Sequence, residues 1–397
     1  MFARYATLNR IPKGVWVLGG VSLLMDVSSE MIHSLLPLFM ATTLGASVII
    51  IGLIEGLAEA TALIIKVFSG VLSDYLGKRK GLAMLGYGLG ALSKPLFAMA
   101  GSSGMVFSAR MIDRVGKGIR GAPRDALVAD VTPSEIRGAA YGLRQSLDTI
   151  GAFLGPLLAV GLMLLWNNDF HTIFWVAVIP GVLSITLLWF GLSEPKTPVT
   201  NKRTNPLRRE NLKKLSAAYW WVVGLGALFT LARFSEAFLV LRAYQMDIPL
   251  FAIPLVMVAM NLVYSLSAYP FGKMSDSMNH TRMLQAGLLV LIAADITLAL
   301  SHHWSTLLIG VGLWGIHMGM TQGLLAAMIA HTAPAELRGT AFGMFNLISG
   351  IALLLASTGA GILWETLGAA STFYAGAVIC AIVLAGMRFT PAAYQQR

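Results

Sequence analysis

Long apolar stretches separated by short polar turns occupy almost the whole chain of 397 residues. Most of them reach about 20 residues, the length that an α-helix needs to cross the hydrocarbon core of a bilayer. Helices are the expected form because an unpaired backbone cannot face lipid, and the stretches are too long for barrel strands. With charge clusters and Gly/Pro breaks as boundaries, the pattern predicts twelve spans near 14–42, 47–73, 80–100, 103–128, 137–166, 170–192, 215–246, 249–274, 282–300, 304–330, 338–364 and 369–388.

The turns between the predicted spans alternate in charge. Every second turn contains Lys or Arg, namely 77–81, 133–138, 193–214, 277–282 and 334–339, whereas the opposite turns contain neither. Basic turns are typical of the cytoplasmic side of a membrane. The alternation therefore predicts a multi-pass protein of the cytoplasmic (inner) membrane with both termini in the cytoplasm.

An internal repeat relates the two halves of the chain. TPSEIRGAAYG at 132–142 returns as APAELRGTAFG at 333–343, and GVLSD at 70–74 returns as GKMSD at 272–276. Two matches at nearly the same offset indicate two similarly oriented bundles, with substrate sites near mid-membrane.

The predicted fold is an all-α integral membrane protein with twelve transmembrane helices in two pseudo-symmetric six-helix bundles. The bundles are residues 1–192 and 215–397. The segment 193–214, with three prolines and seven basic residues, is predicted to be a cytoplasmic linker between them.

Composition narrows the class of protein. Only 12% of the residues are charged, against about 25% in soluble domains. The net charge of +10 fits basic cytoplasmic loops better than nucleic-acid binding. A single cysteine excludes an intramolecular disulfide and a multi-cysteine metal site, and no cofactor is expected.

Several charged residues lie inside predicted spans. Asp113, Arg114 and Lys117 fall near the middle of span four. A lone charge at a helix centre costs about 2.5–3.5 kcal/mol. These groups must therefore be paired or face an aqueous cavity.

Carboxylates in the first half are the candidates for proton coupling. Asp26 and Glu30 lie four residues apart on one helical face of span one, and Glu59 and Asp148 are further candidates. Carboxylates in a low-dielectric cavity are suited to exchanging protons near neutral pH. The alternative is that these groups form static salt bridges between spans one, two, four and five.

Basic residues are the candidates for substrate binding. Arg114 and Lys117, with His33 one turn beyond Glu30, are expected to act as counter-charges or as ligands for an anionic substrate group. In the second half, which has fewer intramembrane charges, Arg233 and Glu236 of span seven are the best ligand candidates.

Three motifs point to one family. The turn after span two reads Gly70-x-x-x-Asp74-x-x-Gly77-Lys78-Arg79-Lys80, and its second-half copy keeps Gly272 and Asp276. Span four carries Arg114-x-x-Lys117-Gly118-x-x-Gly121-Ala122, and span five carries Gly151-x-x-x-Gly155-Pro156-x-x-x-x-Gly161. Together they resemble the Major Facilitator Superfamily over essentially the whole chain, and within it the twelve-helix drug/proton antiporters.

The resemblance implies a secondary active transporter that moves a small molecule by alternating access, with proton-coupled export as the expected mode and a monomer as the expected state. Proton-driven uptake of an anionic metabolite or metal chelate is the alternative within transport. A membrane receptor or scaffold is the alternative outside it. An enzyme is not expected, because the sequence has no HExxH, GxSxG or GxxxxGK[ST] motif.

Overall fold

A computed structural model of the chain describes residues 11–76, 78–133, 136–194, 212–246, 248–275, 278–334 and 337–387. Within these ranges all regular secondary structure is helical. The α-helices are α1 (Lys13–His33), α2 (Leu36–Thr42), α3 (Val48–Leu76), α4 (Arg79–Ala98), α5 (Ser103–Asp130), α6 (Arg137–Leu165), α7 (Phe170–Gly191), α8 (Ala217–Ala232), α9 (Ala237–Tyr244), α10 (Leu255–Ser275), α11 (His280–Ala299), α12 (Trp304–Thr332), α13 (Arg338–Leu367) and α14 (Ala369–Gly386).

The expectation of a helical membrane protein is confirmed. Among the described residues, ten segments are long and apolar enough to cross a membrane. The predicted spans three and four correspond to α4 and α5, which are long helices too but are not among these ten. Helix α5 is rich in charged residues. The count of twelve transmembrane helices stays a prediction.

Predicted spans one and seven each correspond to one segment able to cross a membrane, Lys13–Thr42 and Ala217–Tyr244, but each segment is divided into two helices by a short break. The first break lies between His33 and Leu36. The second lies between Ala232 and Ala237, where the backbone amide of Ser235 donates to the Ser357 hydroxyl at 3.1 Å. The Ser235 hydroxyl in turn accepts a hydrogen bond from the amide of Ala237, the first residue of α9.

The chain forms two compact units. The amino-terminal unit comprises residues 1–36 and 61–204, and the carboxy-terminal unit comprises residues 37–60 and 205–397. Most of the predicted linker, residues 195–211, lies outside the described residues. The division into two six-helix bundles therefore stays a prediction.

Glycines bring the helices of the amino-terminal unit into close contact. Helix α1 packs on α6 and α7, and α4 packs on α5 and α7. A Cβ on Gly116 of α5 would lie only 2.6 Å from the carbonyl oxygen of Gly86 on α4, so these two backbones touch. The polar side chains of α4 and α5 are consequently held close to each other.

The carboxy-terminal unit has an aromatic core. Helix α11 packs against α12 and α14, and α10 packs against α12. Ring pairs within about 5–6 Å, as in favourable aromatic contacts, join residues of α8, α9, α12, α13 and α14 and of the second break. These residues are Phe229, Phe234, Phe238, Trp314, His317, Trp364 and Phe373.

Candidate functional site: ionisable side chains in the amino-terminal unit

A fully buried ion pair lies at the centre of the candidate site. The Lys94 ammonium of α4 donates to Asp113 Oδ1 of α5 at 2.8 Å and to the Ser29 hydroxyl of α1 at 2.9 Å. The side chains of Lys94 and Asp113 are 0% and 2% exposed. At this depth either charge alone would be strongly disfavoured, so each depends on the other.

The second oxygen of Asp113 extends the pair towards α1. His33 Nε2 lies 3.4 Å from Asp113 Oδ2, and His33 Nδ1 lies 3.6 Å from Glu30 Oε1. The Arg114 guanidinium approaches the His33 ring at 3.0 Å. These five side chains, Glu30, His33, Lys94, Asp113 and Arg114, are called the Lys94 cluster.

The Lys94 cluster places carboxylates, bases and an imidazole in one connected network. His33 lies between the carboxylates of Glu30 and Asp113, so its ring links charged groups of α1 and α5. An imidazole held between acids is suited to passing a proton between them.

A second group of charges joins α5 to α6. Arg144 donates to Asp148 at 2.5 Å, and Arg124 Nε donates to Asp125 at 3.1 Å. The cross pairs, Arg124 with Asp148 and Arg144 with Asp125, are looser at 3.8 and 3.9 Å. These four residues are called the Asp148 cluster. Asp148, the coupling candidate of predicted span five, therefore lies among charged side chains of α5 and α6.

Asp26 lies on α1 between the two clusters. Its side chain is half-buried, and it interacts electrostatically with Asp148, Arg120, Lys117 and Glu30. Asp26 on α1 therefore interacts with charged groups of both α5 and α6.

The glycines of the span-five motif lie directly against these α1 carboxylates. A Cβ on Gly151 would be 3.0 Å from the Asp26 Cβ, and a Cβ on Gly155 would be 2.7 Å from the Glu30 Cβ. Pro156 follows within α6 and is buried. The small residues therefore set how closely α6 approaches the acidic face of α1.

The remaining predicted ligand and coupling residues are Lys117, Glu59, Arg233 and Glu236. Lys117 is exposed and interacts electrostatically with the α1 carboxylates Asp26 and Glu30. Glu59 belongs to the carboxy-terminal unit. In that unit Arg233 and Glu236 face each other across the second break at 4.0 Å, and both are partly exposed.

The motif after span two has one clear structural role. Arg79 forms a salt bridge with Asp130 and so ties the start of α4 to the end of α5. A Cβ added to Gly70 would lie 3.4 Å from the Ala122 Cβ, which is an ordinary contact distance. A Cβ added to Gly272 would meet no described atom within 4 Å. The side chain of Asp74 and the residues Gly77 and Asp276 lie outside the part of the chain that the structure describes.

Sequence reasoning left two central residues out of the candidate set. Neither Lys94 nor Asp113 is among the predicted site residues, yet the two form the buried core of the Lys94 cluster. Their depth inside predicted spans was the available signal. Residue spacing along a single helix does not predict that Lys94 and Asp113 pair across two helices, or that both contact α1.

Comparison with known proteins places the chain in a family. Residues 18–256 and 228–397 match the Major Facilitator Superfamily. Over 382 residues the chain is 32% identical to an uncharacterized MFS-type transporter of Methanocaldococcus jannaschii, with 94% of each chain covered. It is 23% identical over 362 residues to the multidrug resistance protein MdtH of Yersinia pestis, covering 87% of this chain and 85% of that protein.

The fold is also similar to solved structures. A POT family transporter in complex with 5-aminolevulinic acid superposes with a TM-score of 0.81 at 15% identity, and 96% of each chain is covered. At this identity the likeness concerns the fold alone.

Proposed function

This chain belongs to the Major Facilitator Superfamily, and we propose that it is a proton-coupled secondary transporter that exports a small molecule across the inner membrane by alternating access. The distribution of Lys and Arg between the turns supports a cytoplasmic location of both termini. The family points to transport rather than to enzyme chemistry. A monomer is the proposed state, and protons, a small-molecule substrate and the lipid bilayer are the proposed partners.

The observation that carries the proposal is the linkage of the α1 carboxylates to bases on other helices. Glu30 reaches Asp113 and Lys94 through His33, and Asp26 interacts electrostatically with charges of α5 and α6. Any movement of α1 relative to α5 changes these distances. Because the affinity of a carboxylate for a proton depends on nearby charges, such a movement would couple proton binding to conformation.

Proton coupling is assigned first to Asp26 and Glu30, which lie on one face of α1. Asp148 is a further candidate because it is held by Arg144 and lies in the field of Asp26. Glu59, in the carboxy-terminal unit, is the remaining candidate. The alternative role for all four is static pairing between helices.

The mixed signs of the clusters bear on the substrate. Arg114 and Lys117 provide positive charge next to the α1 carboxylates, an arrangement that suits an anion or a zwitterion. Together with His33 they are the proposed substrate ligands of the amino-terminal unit, and Arg233 and Glu236 are those of the carboxy-terminal unit.

Export is favoured by the resemblance of span five to drug/proton antiporters and by the name of one relative, the multidrug resistance protein MdtH. Proton-driven uptake of an anionic metabolite or metal chelate is the second candidate. The positive charge near His33 favours it, because that charge suits an anion.

The test is transport in everted membrane vesicles with an acidic lumen. A panel of a cationic dye, an anionic dye and a zwitterionic amino acid is offered outside. A proton-coupled exporter accumulates its substrate in the lumen, and a protonophore abolishes the accumulation. Accumulation that ignores both the pH gradient and the protonophore would contradict proton coupling, and accumulation only in right-side-out vesicles would favour uptake.

The residue assignment is tested with the double variant Asp26→Asn, Glu30→Gln. It should lose the response to the pH gradient while still exchanging substrate across the membrane. Asp169→Asn is the matched control, because Asp169 is an exposed carboxylate at the start of α7 and lies outside both clusters. If the double variant still responds to the gradient as the control does, the assignment to α1 is wrong.

A further inference from the structure

A buried carboxyl group in the carboxy-terminal unit has no role in the function proposed above. Asp295 lies in the second half of α11 and is 0% exposed. Neither of its carboxyl oxygens has a hydrogen-bond partner among the described residues. An ionised carboxylate without a hydrogen bond or counter-charge is strongly disfavoured in such surroundings.

A glycine and a helix end form the immediate surroundings of this carboxyl. A Cβ on Gly376 of α14 would lie 2.6 Å from Asp295 Oδ2 and 3.2 Å from the Ala232 carbonyl oxygen. The carboxyl and the carbonyl therefore both pack against Gly376, where a side chain would clash with Oδ2.

The Ala232 carbonyl is a suitable acceptor for a proton donor. Ala232 is the last residue of α8, next to the break before α9. The last four carbonyl groups of a helix have no partner within it, and the negative end of the helix dipole lies there. This helix end favours a neutral carboxylic acid and disfavours a carboxylate.

The titratable groups on the packed helices do not neutralise Asp295. The Cys380 thiol of α14 interacts with it electrostatically. His317 of α12 is directed by its Nδ1 to the Gly287 carbonyl, two turns before Asp295 on α11. Arg233, which follows Ala232, lies beside Glu236 at 4.0 Å. Within the described residues none of them donates a hydrogen bond to the Asp295 carboxyl.

We propose that Asp295 is a second proton-binding site, which is protonated in this conformation and is placed to donate its proton to the Ala232 carbonyl at the end of α8. Loss of the proton would put a negative charge against the negative end of the helix. Proton release is therefore linked to movement of the break between α8 and α9. This site goes beyond the proposed function, which assigns coupling to Asp26 and Glu30, with Asp148 and Glu59 as further candidates.

Infrared spectroscopy of the purified protein in lipid tests the proposal without a substrate. A protonated carboxyl has a carbonyl stretch separate from the carboxylate and amide bands. At neutral pH the wild-type protein should show such a band, and it should be lost in Asp295→Asn. The band should remain in the control Asp169→Asn, because Asp169 is exposed. It should also shift on transfer to deuterium oxide, since a site that loads and unloads a proton must exchange with water.

Two results would overturn the proposal. If wild type and Asp295→Asn have the same carboxyl spectrum, Asp295 is ionised. If the band does not shift in deuterium oxide, the proton is a fixed part of the fold and is not exchanged.

Two further variants keep the test decisive. Gly376→Ala would press on Oδ2 and should shift the frequency of the band without removing it, which identifies the band even if Asp295→Asn does not fold. An unshifted band in Gly376→Ala would contradict the assignment. The double variant Asp26→Asn, Glu30→Gln should keep the Asp295 band, so failure of coupling on α1 and failure of this site are distinguishable.

Discussion

Gly155 of α6 lies against Glu30 of α1, so closely that an added Cβ would come within 2.7 Å of the Glu30 Cβ. The same Cβ would lie 3.0 Å from the Met31 amide nitrogen and from the Val27 carbonyl oxygen. The contact is thus between a glycine and the backbone of α1 itself. A glycine of the span-five motif therefore sets how closely α6 approaches a candidate coupling residue on α1.

Gly155→Ala is expected to destabilise the protein by about 1–3 kcal/mol, as overpacking of a close contact does. The backbone of α1 cannot yield as a flexible side chain would. Thermal unfolding in detergent measures the effect as a lower Tm. Gly161→Ala is the matched control on the same helix, because nothing lies within 4 Å of its ideal Cβ. An equal Tm for the two variants would show that α6 does not contact α1 as described.

The Lys94–Asp113 pair is expected to give a large coupling energy. Lys94→Met and Asp113→Asn should each destabilise the protein by about 3–5 kcal/mol, because each leaves one buried charge without its partner. The double variant should be less destabilised than the sum of the singles. A double-mutant cycle of denaturant unfolding measures this, and strictly additive effects would mean that the two charges do not interact.

Arg242 is expected to stabilise the end of α11 and the turn after it. Its guanidinium donates to the carbonyls of Leu298, Ala299 and Ser301. An ammonium group cannot reproduce this planar set of donors, so Arg242→Lys should cost about 1–3 kcal/mol. Gln245→Ala removes only one further contact of the guanidinium and should cost less. Unfolding midpoints in detergent compare the two variants, and the reverse order would contradict the role of Arg242.

Asp169 is expected to make the start of α7 sensitive to acid. Its carboxylate accepts from the Thr172 hydroxyl and from the amides of Thr172 and His171, and these hydrogen bonds hold the pKa of Asp169 below its usual value. Because the pKa of Asp169 is lower in the folded protein than in the unfolded chain, its carboxylate stabilises the fold at pH values above the ordinary carboxyl pKa. This stabilisation is lost as the pH falls through the lowered pKa.

The variant Asp169→Ala should therefore lose about 0.5–2 kcal/mol at neutral pH and less in acid, as expected for loss of an N-cap. Asp169→Asn, which keeps a capping side chain, should be close to wild type. Unfolding measured at neutral and acid pH checks both. A deficit of Asp169→Ala that does not shrink in acid would show that the carboxylate charge is not what stabilises α7.

The positions of most helices followed from the sequence. Predicted spans such as 103–128, 137–166 and 170–192 agree with α5, α6 and α7 to within a few residues. The reason is that bilayer thickness sets the length of a span, and polar turns set its ends. The breaks in spans one and seven did not follow, because they depend on contacts with distant residues, such as the hydrogen bond from Ser235 to Ser357.

Only part of the candidate site could be predicted from the sequence. Arg144 and Asp148 lie four residues apart on one helix, so their contact follows from local spacing. The contact of Lys94 with Asp113 joins residues nineteen apart in the chain on two helices, and its closeness to Ser29 on a third helix is a product of packing.

The sequence by itself determined that this is a helical membrane protein of a transporter family, where its helices lie, and which charges are too deep to stand alone. These properties depend on local composition and on the lengths of apolar stretches. The tertiary structure decided which charges meet. It joined Glu30 to Lys94 through His33 and Asp113, and it left Asp295 near a helix end with no hydrogen-bond partner among the described residues. The reason is that charge neutralisation in a low-dielectric interior depends on separations of a few ångströms between helices, and no spacing along one helix encodes them.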